Sequence, residues 1–170
     1  MVLRIGLLLV LTVLVTACRD LAKSQAMAFE GHPEELPYKV QTSSFEDLNG
    51  NPVSLTDFKG KWVVLNYWAT WCRPCIEEMP DLVRAQELLK NENYVFLLAS
   101  DQSLEKIRAF VDERKFDLTF IRLKEAFAQR GVNALPTTFI YNTAGEQVLK
   151  IEGQTDWASD GVIDKFKAVQ

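Results

Sequence analysis

Histidine and cysteine are scarce in this sequence. There is one imidazole, His32, and there are three thiols, Cys18, Cys72 and Cys75, in 170 residues. A structural zinc site takes four nitrogen or sulfur ligands, and beyond residue 37 the chain offers two cysteines and no histidine, so no metal centre is expected. Three cysteines are also too few for the disulfide framework of a small secreted scaffold. A basic excess is missing as well: the formal net charge is −4, which argues against nucleic acid as a partner. No apolar run reaches the roughly 20 residues that a membrane-spanning helix needs, and no internal repeat or low-complexity tract appears. What remains, 48% apolar, 25% charged and 11% aromatic, is an ordinary globular composition, long enough for one core and short for two.

The first stretch, MVLRIGLLLVLTVLVTACRD, has the layout of a secretory signal peptide: Arg4, an apolar run from Ile5 to Val15, then small residues. Its end, VTAC at 15–18, resembles the lipobox of bacterial lipoproteins, in which the cysteine is acylated and becomes the first mature residue. We therefore expect removal of residues 1–17, which takes the net charge from −4 to −5 through loss of Arg4. An acylated Cys18 would then hold the protein on a lipid bilayer, outside the cytoplasm and facing the periplasm. Residues 18–37, with Gly31, Pro33 and Pro37, read as a lipidated tether, and His32 as a solvated residue within it. If Cys18 is consumed in this way, Cys72 and Cys75 are left as a pair.

Residues 38–170 read as one domain. FEDLNGNPVSL predicts a hairpin turned at Asn49-Gly50. KWVVLNYWA is a continuous β-prone run, as in a central strand covered on both faces. A helix is expected from about Cys75 to Lys90, with Pro80 kinking it. A second buried strand follows (94–100), then a helix over 103–115 with half a capping box at Ser103 and Lys106. A short strand (LTFIRL), a short helix ended by Gly131, a hairpin around TAG and a last helix from about Asp156 to Val169 complete the chain. Strands alternating with helices and ending in a hairpin describe a mixed α/β sheet with helices on both faces.

The cysteine pair, in ATWCRPC (69–75), lies where a parallel strand gives way to a helix, which is where such sheets gather reactive groups. Three readings compete: a cycling dithiol, a staple and half a metal site. A staple closing so small a loop would constrain the unfolded chain little, and the metal lacks ligands. At a helix start, unpaired N–H groups and the macrodipole favour the thiolate of Cys72, the nucleophilic form. Arg73 adds a positive charge beside it, and Pro74 suits the first turn. Cys75, one turn on and expected to be buried, is placed to resolve a mixed disulfide on Cys72. The reading requires that Cys72 be reachable from solvent. The dithiol then needs no cofactor beyond the Cys72–Cys75 disulfide itself.

NYWATWCRPC together with ALPTTF resembles the thioredoxin superfamily, and specifically its TlpA/ResA-like branch of extracytoplasmic thiol-disulfide oxidoreductases, over about residues 38–170. The resemblance implies a thioredoxin-like mixed sheet flanked by helices, with an N-terminal hairpin and an inserted strand-helix segment. It implies a cis Pro136 facing the cysteines, with Leu135 and Thr137 beside it contacting substrate, and Trp71 as an apolar floor. It also implies that Glu78, three residues after Cys75, moves the proton of the second thiol; the aspartate of cytoplasmic thioredoxins is replaced here by Asn66. Glu77 is read as a surface residue, and Trp68, Tyr67 and Phe139 as core. Relatives of this layout reduce protein disulfides, often in apocytochrome c maturation, and draw electrons from a membrane thiol conduit. The competing functions are a dithiol oxidase or isomerase and a copper chaperone needing His32. The Pro-x-x-x-Thr-x-x-Cys arrangement of a peroxidase is missing. A monomer is expected.

Overall fold

Asp47 shapes the first turn, accepting hydrogen bonds from the amides of Asn49 (2.7 Å) and Asn51 (2.8 Å). Gly50 there takes φ 87°, a left-handed conformation that an L side chain resists. The turn joins β1 (Phe45–Glu46) to β2 (Pro52–Val53) in an antiparallel hairpin, as the Asn-Gly signal predicts. The computed structural model describes residues 44–168. All of them belong to the second of two units, Met1–Val40 and Gln41–Gln170. The expected signal peptide, Cys18, His32 and the whole of the expected tether therefore lie outside the described residues.

β3 (Trp62–Tyr67) is buried at all six positions because it has neighbours on both sides and cover on both faces. It runs parallel to β4 (Tyr94–Ser100) and antiparallel to β6 (Thr137–Tyr141). β5 (Thr119–Leu123) extends the parallel side beyond β4, and β7 (Gln147–Glu152) closes the other edge. The seven strands lie in the order β2-β1-β5-β4-β3-β6-β7. This is the mixed sheet expected from the sequence.

Strand alternation sends successive β3 side chains to opposite faces. Val64, with Phe96, Leu98 and Phe120, packs under α1 (Arg73–Leu88), α2 (Leu104–Arg114) and α3 (Asp160–Ala168). Val63 and Leu65, with Leu97, Ile121 and Phe139, face Leu55, Phe58 and Phe127 on the other side. Those belong to two single 3-10 turns, Leu55–Phe58 and Phe127–Arg130. The expectation of helices on both faces is thus corrected: the three α-helices among the described residues pack on one. The segment between β5 and β6 is cut short by Gly131, which takes φ 69°, and by Pro136, so only one turn forms there. The 3-10 turn at Leu55 was not foreseen, although Ser54 and Asp57 form the reciprocal cap that S-x-x-D signals.

The last helix also starts later than predicted, at Asp160 instead of Asp156. Trp157 explains the delay. Its indole is fully buried and stacked on Phe166 at 6.3 Å, and the chain must turn through 157–159 to insert it before the helix can begin. Trp68 anchors the same core against Phe110 (4.6 Å) and Phe120 (5.4 Å), and each such ring pair adds about 0.5–1.5 kcal/mol beyond burial. Trp68, Tyr67 and Phe139 are core, as read from the sequence. Among the described residues no helix is long and apolar enough to cross a membrane.

Candidate active site

The turn carrying the cysteines is tied to the carboxyl ends of two strands. Trp68 N–H donates to Ala99 O (3.0 Å), and Cys72 N–H to Ala69 O (2.9 Å). Gln102, just past β4, clamps the intervening residue twice: it accepts from Thr70 N–H (2.7 Å) and donates through Nε2 to Thr70 Oγ1 (3.0 Å). The chain so held delivers Cys72 as the N-cap of α1, in extended conformation (φ −86°, ψ 93°). Pro74 follows in the first turn, where a missing N–H costs nothing.

Cys72 and Cys75 are joined as a disulfide. The Cys75 N–H points back at Cys72 Sγ (3.3 Å), so the sulfur takes the capping position that an oxygen usually fills. Partial positive charge gathers at this end of the helix, which suits it to hold an anionic sulfur after reduction. Cys75 is buried at 1% exposure, as expected, but Cys72 retains only 4%. The open nucleophile anticipated from the sequence is thereby corrected to a nearly buried one in the disulfide form, next in the chain to the 72% exposed Trp71.

The Arg73 side chain is paired with a carboxylate of its own helix. Its Nε is engaged by Glu77 Oε1 at 2.7 Å on the outer side of the helix, with the two side chains 88% and 46% exposed. Glu77 is the surface residue expected. Glu78, its neighbour, is completely buried. Three residues beyond Cys75, it lies on the same helical face as the buried thiol. Its Oε1 accepts from Asn66 Nδ2 (2.8 Å) and its Oε2 from the Thr155 N–H (3.0 Å). Burial pushes the Glu78 carboxyl above its ordinary value. The hydrogen bonds from Thr155 and Asn66 oppose that rise, as does the Trp157 indole, whose N–H makes no bond of ordinary geometry. The charge of Asp81 adds to it slightly.

The Leu135–Pro136 bond is cis, as the resemblance implies. The pairing of Thr137 with Tyr67 brings this loop to the carboxyl end of β3, the end from which the cysteine turn departs. Of the trio assigned to substrate, Pro136 and Thr137 are buried and Leu135 alone is half-exposed. The Thr137 hydroxyl donates to Ala134 O (2.7 Å), and that side chain braces the loop. Pro136 O already accepts from Gly153 N–H (2.8 Å).

Asn66, Thr138, Thr155 and Gln102 complete the site and were not assigned from the sequence. One signal was available: Asn66 is the single polar residue in an otherwise apolar and aromatic strand. A cavity of about 1200 Å³ lies away from the cysteines, between β6, β7 and α3, where Trp62, Leu149 and Phe166 line it.

The strand order and the dithiol at the tip of a buried strand are those of the thioredoxin-like class of thiol-disulfide oxidoreductases. A family model described as the AhpC/TSA family matches residues 33–148, and the chain belongs to that family. It is 39% identical over 108 residues to the thioredoxin-like protein YneN of Bacillus subtilis, covering 60% of this chain and 62% of YneN, less than two thirds of that relative's length. It is 33% identical over 124 residues to the thiol-disulfide oxidoreductase ResA of Bacillus thuringiensis, covering 71% of this chain and 72% of ResA. Among solved structures, the thioredoxin domain of a thiol-disulfide oxidoreductase from Bacteroides vulgatus superposes with a TM-score of 0.61 at 25% identity, over 72% of this chain and 89% of that one.

Proposed function

We propose that the protein reduces disulfides of extracytoplasmic proteins by dithiol exchange at Cys72 and Cys75, anchored to a membrane through acylated Cys18. The observation that carries this reading is the capping of Cys72 Sγ by the Cys75 amide, with the sealed carboxyl of Glu78 one turn further along. The names of the ResA and YneN relatives support the chemistry. A role in cytochrome c maturation, and a membrane thiol conduit as electron donor, follow from the resemblance to the ResA-like branch.

In the reduced protein the Cys72 thiolate attacks one sulfur of a substrate disulfide. A Cys72–substrate bond forms, the substrate's own S–S bond breaks, and its second sulfur leaves as a thiolate. Cys75 then gives its proton to the Glu78 carboxylate and attacks Cys72 Sγ. The Cys72–Cys75 bond forms, the mixed disulfide breaks, and the remaining substrate sulfur departs with the electron pair. Two electrons have passed from the dithiol to the substrate. An external dithiol restores the pair by the reverse exchange, and Glu78 hands the proton back to Cys75. Trp71 and Leu135 offer the apolar surface on which an extended segment would lie. The pairing of Arg73 with Glu77 favours the reductive direction, since a cation turned away from the sulfur does little to stabilise the reduced form.

Cys72→Ser is expected to abolish reduction of insulin disulfides, and Cys75→Ser to accumulate mixed disulfides with partners. Normal turnover by Cys72→Ser would refute the assignment. Equilibration with glutathione tests direction: a potential near about −270 mV supports a reductant, and one near about −120 mV an oxidant.

A further inference from the structure

Asn66 is 1% exposed in the most buried strand of the sheet, and its side-chain amide is only half satisfied. Both hydrogens of Nδ2 are used, one on Glu78 Oε1 (2.8 Å) and one on Thr138 Oγ1 (2.9 Å), while Oδ1 is buried and meets no donor. Leaving such an acceptor unmet in the interior is costly, so a compensating role is to be sought.

The donors around Glu78 define one protonation state. Asn66 and Thr155 each give a hydrogen to a different carboxylate oxygen, which suits an ionised group that can only accept. A protonated carboxyl carries a hydrogen of its own, and the Nδ2 group facing it cannot take that hydrogen. Oδ1 can. Thr138 lies directly opposite Asn66 in the β3–β6 register, and its hydroxyl can donate as readily as accept. Half a turn of the amide plane would therefore exchange every bond for its reverse. Oδ1 would accept from Glu78 O–H and from Thr138 O–H, and Nδ2 would move to where Oδ1 now stands.

We propose that Asn66 is a positioning residue that reverses its hydrogen bonds as Glu78 gains and loses a proton, so that the buried carboxyl is solvated in both states. This rests on the reading that Glu78 takes the Cys75 proton during exchange. The step balances simply: Cys75 S–H becomes a thiolate, the Glu78 carboxylate becomes a carboxylic acid, and the amide rotates without gaining or losing a proton. The other ionisable group acting on Glu78 in the oxidised protein is Asp81 on the same helix, and reduction would add the Cys75 thiol on the same helical face. The remaining partners, from β3, β6 and the turn before α3, are Asn66, Thr138, Thr155 and Trp157, none of which titrates.

The oxidised protein gives the test, since neither Cys72 nor Cys75 titrates in it. The carboxyl carbon of Glu78 and the side-chain NH₂ of Asn66 are followed by NMR across pH. The expected result is a single shared midpoint, with the contact from the Asn66 NH₂ to Glu78 lost below it. Asn66→Leu removes both directions of the bond. The charged form loses more, because hydrogen bonds to ionised groups are about twice as strong, so the Glu78 midpoint should rise by about one pH unit, a tenfold gain in proton affinity. Asn66 signals that stay constant while Glu78 titrates overturn the proposal, even if Asn66→Leu does not fold. So does a Glu78 that never titrates. Disulfide reduction that survives either outcome, and still requires Cys72, would leave the proposed function standing.

Discussion

The two faces of α1 carry neighbouring residues into opposite environments. The outer face holds Arg73, Pro74 and Glu77, all exposed, with Trp71 just before it. The inner face holds Cys75, Glu78, Met79 and Leu82, all sealed, with Cys72 as its cap. Glu77 and Glu78 are chemically identical and adjacent, yet one pairs with a surface guanidinium and the other with a strand amide and a loop N–H. A rotation of 100° along a helix of 3.6 residues per turn makes that difference. In the proposed mechanism the helix thus separates what a partner protein meets from what the thiols meet: recognition outside, proton handling inside.

The sharpest way to break this division is to remove each carboxylate in turn. Glu78→Gln is expected to lengthen the lifetime of the mixed disulfide by about a hundredfold or more, the usual contribution of a positioned proton acceptor. Glu77→Gln should leave it within about twofold; stopped-flow release of a labelled peptide thiol measures both. The two should also part in stability. The Glu78 carboxyl sits above its ordinary value of 4.5 in the fold, so between the unfolded and folded values the native state binds more protons. Stability is then greatest below the unfolded value and falls as pH rises through the folded one. Urea unfolding of the oxidised protein should show that decline, and Glu78→Gln should abolish it. Equal behaviour of the two variants would erase the distinction between the faces.

A smaller effect is expected from the rim. Trp71→Ala removes the largest exposed apolar surface beside the disulfide without touching the core. kcat/KM should fall about five- to tenfold on protein disulfides, in the range of an aromatic anchor, and little on a small disulfide such as oxidised glutathione. Urea midpoints should not move. An equal loss on both substrates would mean that Trp71 shapes the helix cap instead of meeting the partner.

Much of this was legible in the chain before the fold was seen. β3 announces itself because six consecutive residues must be buried on both faces, and the cysteine turn because Pro74 and the dithiol mark a helix start. The cis Leu135–Pro136 bond came from resemblance to a family, not from pattern. What stayed hidden depends on contacts far apart in sequence. Glu78 Oε2 meets the Thr155 amide 77 residues away, and Asn66 meets Thr138 across 72. No local period encodes such pairs. The delayed start of α3 has the same origin: a cap signal at Asp156 is local, and the pocket that demands Trp157 is not. Cys18 and the tether lie outside the described residues, so the lipid anchor still rests on the VTAC pattern alone.

Arg73 should give the smallest effect and the most discriminating one. Read along the sequence, it is a cation next to the nucleophile, and its loss should make Cys72 less reactive at low pH. In the structure its charge is already met by Glu77 and bathed in solvent. An exposed helical pair of this kind contributes about 0.3–0.5 kcal/mol. Here the cation also comes first, the weaker order, because a positive charge near the N-terminus opposes the dipole. Arg73→Ala should therefore change stability by no more than about 0.5 kcal/mol and leave the pH profile of Cys72 alkylation almost unmoved. Glu77→Gln, which frees the guanidinium, should shift that profile slightly toward lower pH. The opposite ranking, with Arg73→Ala the larger, would mean that the side chain leaves Glu77 for the thiolate once the disulfide opens, and that the outer face takes part in the chemistry after all.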